Sequence, residues 1–452
     1  MTRSAADTIC AIATAPGRGG VGIVRVSGSQ ASSIYQCICG ATPRPRHALY
    51  TDFIGDHKNV IDSGIALYFQ APHSFTGEDV CEFQAHGGPV ILDMIIERCL
   101  QLGARLAGPG EFSERAFLND KLDLAQAEAI ADLINASSRQ AAAMAVNNLQ
   151  GAFSREIDTL VSALTELRVY VESAIDFPDE EIDFLNDGVV ATRLEALIHR
   201  CNDVQRAAQQ GQILREGMRV VLAGRPNAGK STLMNALAER DVAIVTDIAG
   251  TTRDTLTEHI HIDGMPLHIT DTAGIRETDN KVELIGIERA WQAIDNSDQI
   301  ILLIDAATWS NGMALDEWPE FLTTERRSKL TVLLTKTDLC AAPDPLPTDP
   351  TTLAIAAPRG EGLDALKKHL LTKIGFDTTA EGRFGARRRH IDAIERALGH
   401  LLHGQDQLKL LSAGELLAED LRHAQNALGE ITGRVSADAL LGEIFASFCI
   451  GK

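Results

Sequence analysis

Gly224-Arg-Pro-Asn-Ala-Gly-Lys-Ser231 reads G-x-x-x-x-G-K-S, the spacing of a phosphate-binding loop. It follows Arg219-Val-Val-Leu-Ala223, a short apolar run suited to a buried parallel strand. It precedes Thr232-Leu-Met-Asn-Ala-Leu-Ala238, whose apolar residues are spaced as in a helix. Strand, glycine loop, helix is the context this spacing needs. Gly224 and Gly229 let the backbone close around a phosphate, and the N–H groups of Asn227 to Thr232 at the helix start point at it. Lys230 can neutralise β- and γ-phosphate oxygens, and Ser231 can hold Mg²⁺.

Further nucleotide motifs lie downstream. Leu267-His-Ile-Thr270 leads into Asp271-Thr-Ala-Gly274, a D-x-x-G at a strand end that fits a GTPase switch. Asp271 would reach Mg²⁺ through water, and the Gly274 N–H would reach the γ-phosphate. Gly250-Thr-Thr-Arg-Asp254 lies in between, and its Thr252 can complete the Mg²⁺ shell while the γ-phosphate is present. After the strand Thr331-Val-Leu-Leu334 comes Thr335-Lys-Thr-Asp338. Asp338 can accept from guanine N1–H and N2–H₂, a pairing adenine does not offer. The residues depart from common GTPases in several places. Ile275 stands where Ras-type enzymes carry a water-orienting Gln. Glu283 either supplies that function or starts a helix before Trp291. Asn227 is either an ordinary loop residue or a ligand for a monovalent cation. Thr335 replaces the usual asparagine and loses an amide donor, and Ala356-Ala-Pro358 replaces S-A-[RK], so weaker base affinity is expected, with guanine still preferred.

A chain of 452 residues with net charge −20 has room for two to four domains, and it does not suit non-specific coating of nucleic acid. The eight cysteines are scattered without a C-x-x-C pair, as in a protein with reduced thiols. Met1-Thr-Arg-Ser-Ala-Ala-Asp7 has no apolar signal core, and Ile300-Ile-Leu-Leu-Ile304 is too short to span a bilayer. A cytoplasmic protein without membrane contact is expected.

Gly17-Arg-Gly-Gly-Val-Gly22 matches G-x-G-x-x-G, but β-rich runs flank it on both sides (Ile9 to Ala13 and Val21 to Val26), so it reads as strand–turn–strand. With strand-like Ile65–Phe69 and Asp79–Phe83 and a helix over 90–102, the amino-terminal part is α+β. Arg25 and Glu82 each stand between apolar residues. They lie either on a solvated strand face or in a pocket for a polar ligand. From Leu124, apolar residues recur at three and four, with a bend expected near Gly151 and a break at Asp176–Asp183. A second helix is expected over 192–210. Ile391, Ile394, Leu398 and Leu402, then Leu416, Leu421, Ala424 and Leu428, mark a second helical block. Arg387-Arg-Arg-His390 reads as a solvated helix face or a contact to RNA phosphate. The multidomain plan is therefore α+β at 1–120, helices at 121–215 and 378–452 packed as one domain, and a Ras-like P-loop α/β GTPase domain inserted at 216–377.

The phosphate loop, Gly250–Asp254 and Asp271–Ile275 resemble the TrmE–Era group of GTPases. Gly108-Pro-Gly-Glu-Phe-Ser-Glu-Arg-Ala-Phe-Leu-Asn-Asp-Lys-Leu-Asp-Leu124 and Cys449-Ile-Gly-Lys452 narrow the resemblance to the MnmE (TrmE) family of tRNA-uridine modification GTPases, along essentially the whole chain. The resemblance implies a tetrahydrofolate-binding, dimerising amino-terminal domain with Arg25, Glu82, Lys121 and Lys452 at the folate contacts. 5-Formyl-tetrahydrofolate would serve as an analogue of the bound folate. Cys449 matches a cysteine tied to tRNA modification, although a buried apolar thiol also fits. GTP would be held by Asn227, Ala228, Gly229, Lys230, Ser231 and Thr232, by Thr246, Asp247, Ile248, Ala249, Gly250, Thr251 and Thr252, by Asp271, Thr272, Ala273 and Gly274, and by Thr335, Lys336, Asp338, Ala356, Ala357 and Pro358. K⁺ on Asn227, Thr246, Ile248 and Thr251 would replace an arginine finger, with Mg²⁺ on Ser231 and Thr252. Glu283 and Lys230 would be catalytic. A homodimer would join an FAD-dependent partner, MnmG, in a heterotetramer. On tRNA it would build aminomethyl or carboxymethylaminomethyl groups at C5 of wobble uridine, with the carbon of 5,10-methylenetetrahydrofolate. Two other readings fit the motifs less well: a ribosome-assembly switch without one-carbon chemistry, and a folate-dependent methyltransferase acting on a protein or small molecule.

Overall fold

The computed structural model describes residues 7–176, 188–240, 257–262, 265–271, 290–309, 317–340, 346–348, 350–373, 384–411, 414–435 and 438–451. The chain forms two compact units. The first comprises 1–134, 146–202 and 392–452, and the second 135–145 and 203–391.

In the first unit, strands β1 (Ile9–Ile12), β2 (Gly19–Ser27), β3 (Leu49–Ile54), β4 (Val60–Phe69), β5 (Val80–Gly87) and β6 (Arg105–Leu106) form one sheet in the order β3-β4-β5-β2-β1-β6. All pairs are antiparallel except β1 with β6. The glycine-rich stretch at 17–22 thus leads into a strand, as its apolar flanks require. Alternation along β2 sends Val24 and Val26 into a core with Phe83, Tyr35 and Ile95, contributed partly by helices Ala31–Cys39 and Pro89–Gln101. Arg25 necessarily takes the opposite face.

The helical part of this unit contains Leu124–Ile134, Ala152–Asp176, Gly414–Thr432 and Asp438–Ala446. Gly414–Thr432 packs along Ala152–Asp176, so stripes from distant stretches of chain cover one another. The helical series from Leu124 is interrupted twice rather than bent once. It stops after Ile134, restarts at Arg139 with the Ser138 hydroxyl accepting from the Ala141 N–H at 3.0 Å, and stops again at Gly151, whose φ is +79°. The expected break at Asp176–Asp183 falls mostly on residues outside those described. The helix expected at 192–210 runs longer, Val189–Glu216. The carboxyl-terminal stripes are buried as expected at Ile391, Ile394, Leu421, Ala424 and Leu428, and differ by one residue at two positions. Leu401 and Leu417 are buried, whereas Leu402 and Leu416 are exposed. Spacing of 4, 3 and 4 through Leu417, Leu421, Ala424 and Leu428 keeps to one helical face, and a step of five from Leu416 does not.

In the second unit, β7 (Met218–Gly224), β8 (Thr257–Ile262), β9 (Met265–Asp271), β10 (Gln299–Asp305), β11 (Leu330–Thr335) and β12 (Thr351–Ala354) form a sheet in the order β12-β11-β10-β7-β9-β8. Only β8 runs antiparallel to its neighbour. Continuous apolar runs such as Ile300–Ile304 and Val332–Leu334 are buried, as expected of central parallel strands covered on both faces. Arg388–Leu411 starts on the basic run. His390 is buried and its Nδ1 accepts from the Arg387 N–H at 3.1 Å, so this run is not simply a solvated face.

Candidate functional site: a phosphate loop and an arginine–glutamate pair

The phosphate loop hangs between the end of β7 and helix Lys230–Arg240. Gly224 has φ +148°, and a Cβ there would lie 2.6 Å from the Leu303 carbonyl oxygen, so the loop can leave the sheet only at a glycine. Gly229 at φ +97° brings the backbone into the helix, where the Leu233 N–H bonds back to the Gly229 carbonyl at 2.9 Å. Lys230 lies over the loop and donates to the Gly224 carbonyl at 3.0 Å. Ser231 and Thr232 are exposed at the helix start, where unpaired backbone N–H groups favour an anion. Asn227 is also exposed, in the left-handed region at φ +63°.

The loops that follow β11 and β12 lie beside the phosphate loop. Thr335, at the end of β11, is buried, and its hydroxyl donates to the Ala228 carbonyl at 2.7 Å. Lys336 adopts φ +59°, and its ammonium pairs with Asp305 at 2.8 Å. The hydrogen bond from Lys336 holds the Asp305 carboxyl below the usual carboxylate range. Asp338 is half-buried in the turn that follows. The Ile355 N–H bonds to the Leu334 carbonyl at 2.8 Å and the Thr337 N–H to the Ile355 carbonyl at 3.3 Å, which brings Ala356, Ala357 and Pro358 alongside. A cleft of about 190 Å³ runs beside the loop, lined by Asn227, Ala228, Asp305, Trp318 and Lys336 among others. Asp271 ends β9. Thr246 through Thr252, Thr272, Ala273, Gly274, Ile275 and Glu283 lie outside the described residues.

In the first unit Arg25 and Glu82 face each other across β2 and β5, with Nε to Oε1 at 2.8 Å. Their side chains are 23% and 14% exposed, between full burial and a solvated face. The guanidinium lies 5.6 Å from the Phe75 ring centre and 5.7 Å from that of Phe112. Phe112 belongs to helix Glu111–Leu118, which is anchored by ion pairs. Glu111 accepts from Arg105 at 2.6 Å and Arg115 at 3.1 Å, Asp7 from the same two arginines at 2.6 and 3.0 Å, and Glu78 from Arg115 at 3.0 Å. Burial alone would raise the Glu111 carboxyl, but the Arg105 hydrogen bonds and the Gly108 N–H outweigh it and keep the carboxyl below its ordinary range. Asp7, Glu78, Arg105 and Phe75 do not stand out in the sequence, whereas Glu111, Phe112 and Arg115 fall within the Gly108–Leu124 motif already singled out.

Lys121 follows this helix, and its ammonium donates to the Pro72 carbonyl at 3.0 Å, on the loop that carries Phe75. Cys449 is exposed, not a buried apolar thiol. Its carbonyl accepts from the Gly110 N–H at 3.4 Å, and Ile450 bridges Pro109, so the cysteine is held against the amino-terminal end of the helix bearing Phe112. At Gly451 (φ +93°) a Cβ would lie 2.2 Å from the Ile12 carbonyl oxygen, so the glycine of Cys-Ile-Gly-Lys is needed for the chain to press onto β1. Lys452 lies outside the described residues. Arg25, Glu82, the Lys121 loop and Cys449 are thus gathered around one short helix.

Two family models together match nearly the whole chain. Residues 8–121 match the GTP-binding protein TrmE amino-terminal family, and residues 124–449 match the MnmE helical domain family. The chain belongs to the MnmE family of tRNA modification GTPases. The tRNA modification GTPase MnmE of Saccharophagus degradans is 61% identical and covered in full on both sides. The proteins of the same name from Stutzerimonas stutzeri and Proteus mirabilis are 59% and 57% identical, each with 99% of both chains covered. Among solved structures, Aquifex aeolicus Era bound to GDP and aluminium fluoride aligns over 44% of this chain and 69% of its own, at 24% identity and a TM-score of 0.27. As a family member the chain is a GTP hydrolase acting in tRNA modification. No helix among the described residues is long and apolar enough to cross a membrane.

Proposed function

We propose that the chain couples GTP hydrolysis to one-carbon chemistry on tRNA. Together with the FAD-dependent MnmG, in a heterotetramer built on a homodimer, it would form 5-aminomethyl or 5-carboxymethylaminomethyl groups on wobble uridine. The carbon would come from 5,10-methylenetetrahydrofolate, and the setting would be the cytoplasm. The observation that carries this reading is the gathering of Arg25, Glu82 and Cys449 around helix Glu111–Leu118 in a chain whose family modifies tRNA. A half-buried cation paired with a carboxylate and flanked by two aromatic rings suits a folate, which offers a planar heterocycle with amide and amine edges. Lys121 and Lys452 would contact the remainder of the folate, and Cys449 would act in the modification itself.

On the nucleotide side, the glycine cradle and the exposed Ser231 hydroxyl fit a phosphate with its Mg²⁺, which Ser231 and Thr252 would hold. The exposed carboxamide of Asn227, with Thr246, Ile248 and Thr251, would ligate K⁺ beside the phosphates, and Glu283 would orient the attacking water. Lys230 would balance charge on the β/γ oxygens, and Asp338 would select guanine. The nucleotide domain would occupy 216–377, inserted between the helical stretches 121–215 and 378–452, with the folate domain at 1–120. Hydrolysis would drive opening and closing and add no atom to the tRNA.

The test is mass spectrometry of wobble uridines from a deletion strain complemented with native protein or with Arg25→Ala. Native protein should restore the C5 substituent and the variant should not. Fully modified tRNA in the deletion strain rejects the reading. Turnover of GTP should be faster in K⁺ than in Na⁺, and equal rates would remove the cation from Asn227.

A further inference from the structure

Two rings flank Arg25, and they come from separate elements. Phe112 lies within helix Glu111–Leu118, whereas Phe75 sits on the loop between β4 and β5 and is 37% exposed. The spacing of the two rings around the guanidinium depends on how that loop is held against that helix. Asn119 stands at the joint. It follows the helix directly, and its backbone N–H still bonds back to the Arg115 carbonyl at 2.9 Å. Its side-chain amide donates to the carbonyl of Thr76, the neighbour of Phe75, at 2.7 Å. Thr76 is fully buried, and its hydroxyl shares a 2.7 Å hydrogen bond with Ser27, two residues beyond Arg25 on β2. At Gly77, with φ +80°, a Cβ would lie 3.0 Å from the Asn119 Cβ, so the loop passes Asn119 at close range only because it carries a glycine there. One exposed side chain thereby joins the element bearing one ring to the element bearing the other.

We infer that Asn119 is a positioning residue for folate binding. By holding Thr76 to the end of helix Glu111–Leu118, it keeps Phe75 at the spacing from Arg25 and Phe112 that a planar heterocycle needs. This role rests on the folate reading proposed above and adds to it a residue that acts through Phe75 rather than on the ligand. Other bonds hold the root of the loop. Glu78 accepts from Ser27 at 2.7 Å and from Arg115 at 3.0 Å, and Lys121 donates to the Pro72 carbonyl at 3.0 Å. Loss of the Asn119 amide therefore loosens the tip of the loop and leaves the fold in place. A ring free to swing has to be ordered again when the ligand enters, and that entropy is subtracted from affinity.

The experiment is calorimetry with 5-formyl-tetrahydrofolate on full-length protein, with the melting temperature read for each variant. It compares native protein with Arg25→Ala, Phe75→Ala, Asn119→Ala, Asn119→Leu and the double variant of Phe75→Ala with Asn119→Ala. Asn119→Ala should weaken binding about tenfold, which equals about 1.4 kcal/mol. Asn119→Leu, close to asparagine in size but without a donor, should do the same, and it replaces Asn119→Ala in the comparison if that variant does not fold. Phe75→Ala should weaken binding by at least as much. The double variant decides the matter. Because Asn119 acts through Phe75, its loss should cost no more than about twofold once the ring is gone. Native affinity in both Asn119 variants overturns the inference, and so does a lower melting temperature with unchanged affinity. Fully additive losses also overturn it, since they put Asn119 to work on something other than the ring. Absence of binding by native protein, or full binding by Arg25→Ala, rejects the folate reading itself and this role with it.

Discussion

The two sites are built from different materials. The phosphate loop is made of backbone. Its geometry depends on Gly224 and Gly229 having no side chain, and its one prominent side chain, Lys230, lies back on the loop's own carbonyls. The Arg25–Glu82 site is made of side chains brought together from β2, β5, the loop before β5 and helix Glu111–Leu118, and then braced by ion pairs beneath. A backbone site is written within eight consecutive residues. A side-chain site depends on register between strands, so its members are scattered through the chain.

This contrast can be broken by substitutions that should act on one site and leave the other intact. The largest effect is expected from Lys230→Ala, which removes the charge nearest the phosphates and should slow GTP hydrolysis by about 10²-fold or more. Binding of 5-formyl-tetrahydrofolate, measured by calorimetry on the same variant, should not change. A parallel loss of folate binding would mean the two sites are not independent. Next is Glu111→Gln. It leaves Arg105 and Arg115 short of a buried carboxylate and should cost about 3–5 kcal/mol in the unfolding free energy of the amino-terminal part. Chemical denaturation followed by a probe in that part would read it, and a cost below about 1 kcal/mol would show that the network only fills space.

Glu82→Ala sharpens the comparison at smaller scale. With Arg25 deprived of its partner, folate affinity should fall by about tenfold, in line with the loss of one charged hydrogen bond, while the rate of GTP hydrolysis stays the same. Unchanged folate affinity would return Arg25 and Glu82 to the role of a cross-strand pair.

The smallest effect is in pH. Asp305 has a lowered carboxyl pKa in the fold because Lys336 donates to it. A group depressed by folding stabilises fully above its unfolded value, about 3.9, and that contribution disappears as pH falls through the lowered folded value. The stability gap between native protein and Asp305→Asn should therefore be constant near neutrality and close in acid. A gap that widened below pH 4 would contradict the assignment.

How much could be read in advance follows the same division. The phosphate loop, its flanking strand and helix, and the parallel sheet were legible because each is a local pattern with a local cause. Arg25 and Glu82 stood out as charges among apolar residues, but whether they lay in water or in a pocket depended on Phe75 and Phe112, which belong to other elements. The helical stripes were legible to within one residue. Leu401 and Leu402, or Leu416 and Leu417, are equal by hydropathy; the spacing to Leu421 selects Leu417 in the second pair, and in the first only packing distinguishes the two. The interruption after Ile134 is hidden in the spacing because Asn135-Ala-Ser-Ser138 is too short to disturb its average, although Ser138 is a good helix start. Thr335 looks in sequence like a weakened asparagine, because sequence shows the lost amide and not the carbonyl that its hydroxyl reaches.

The glycine at 451 bears on how the molecule is made. The segment that lies against β1 through Gly451 and bridges Pro109 through Ile450 is translated more than four hundred codons after β1. During synthesis β1 therefore stands without that contact until the nucleotide domain has been made. Closure of the Cys449 neighbourhood is consequently a long-range step that follows synthesis of the domain lying between.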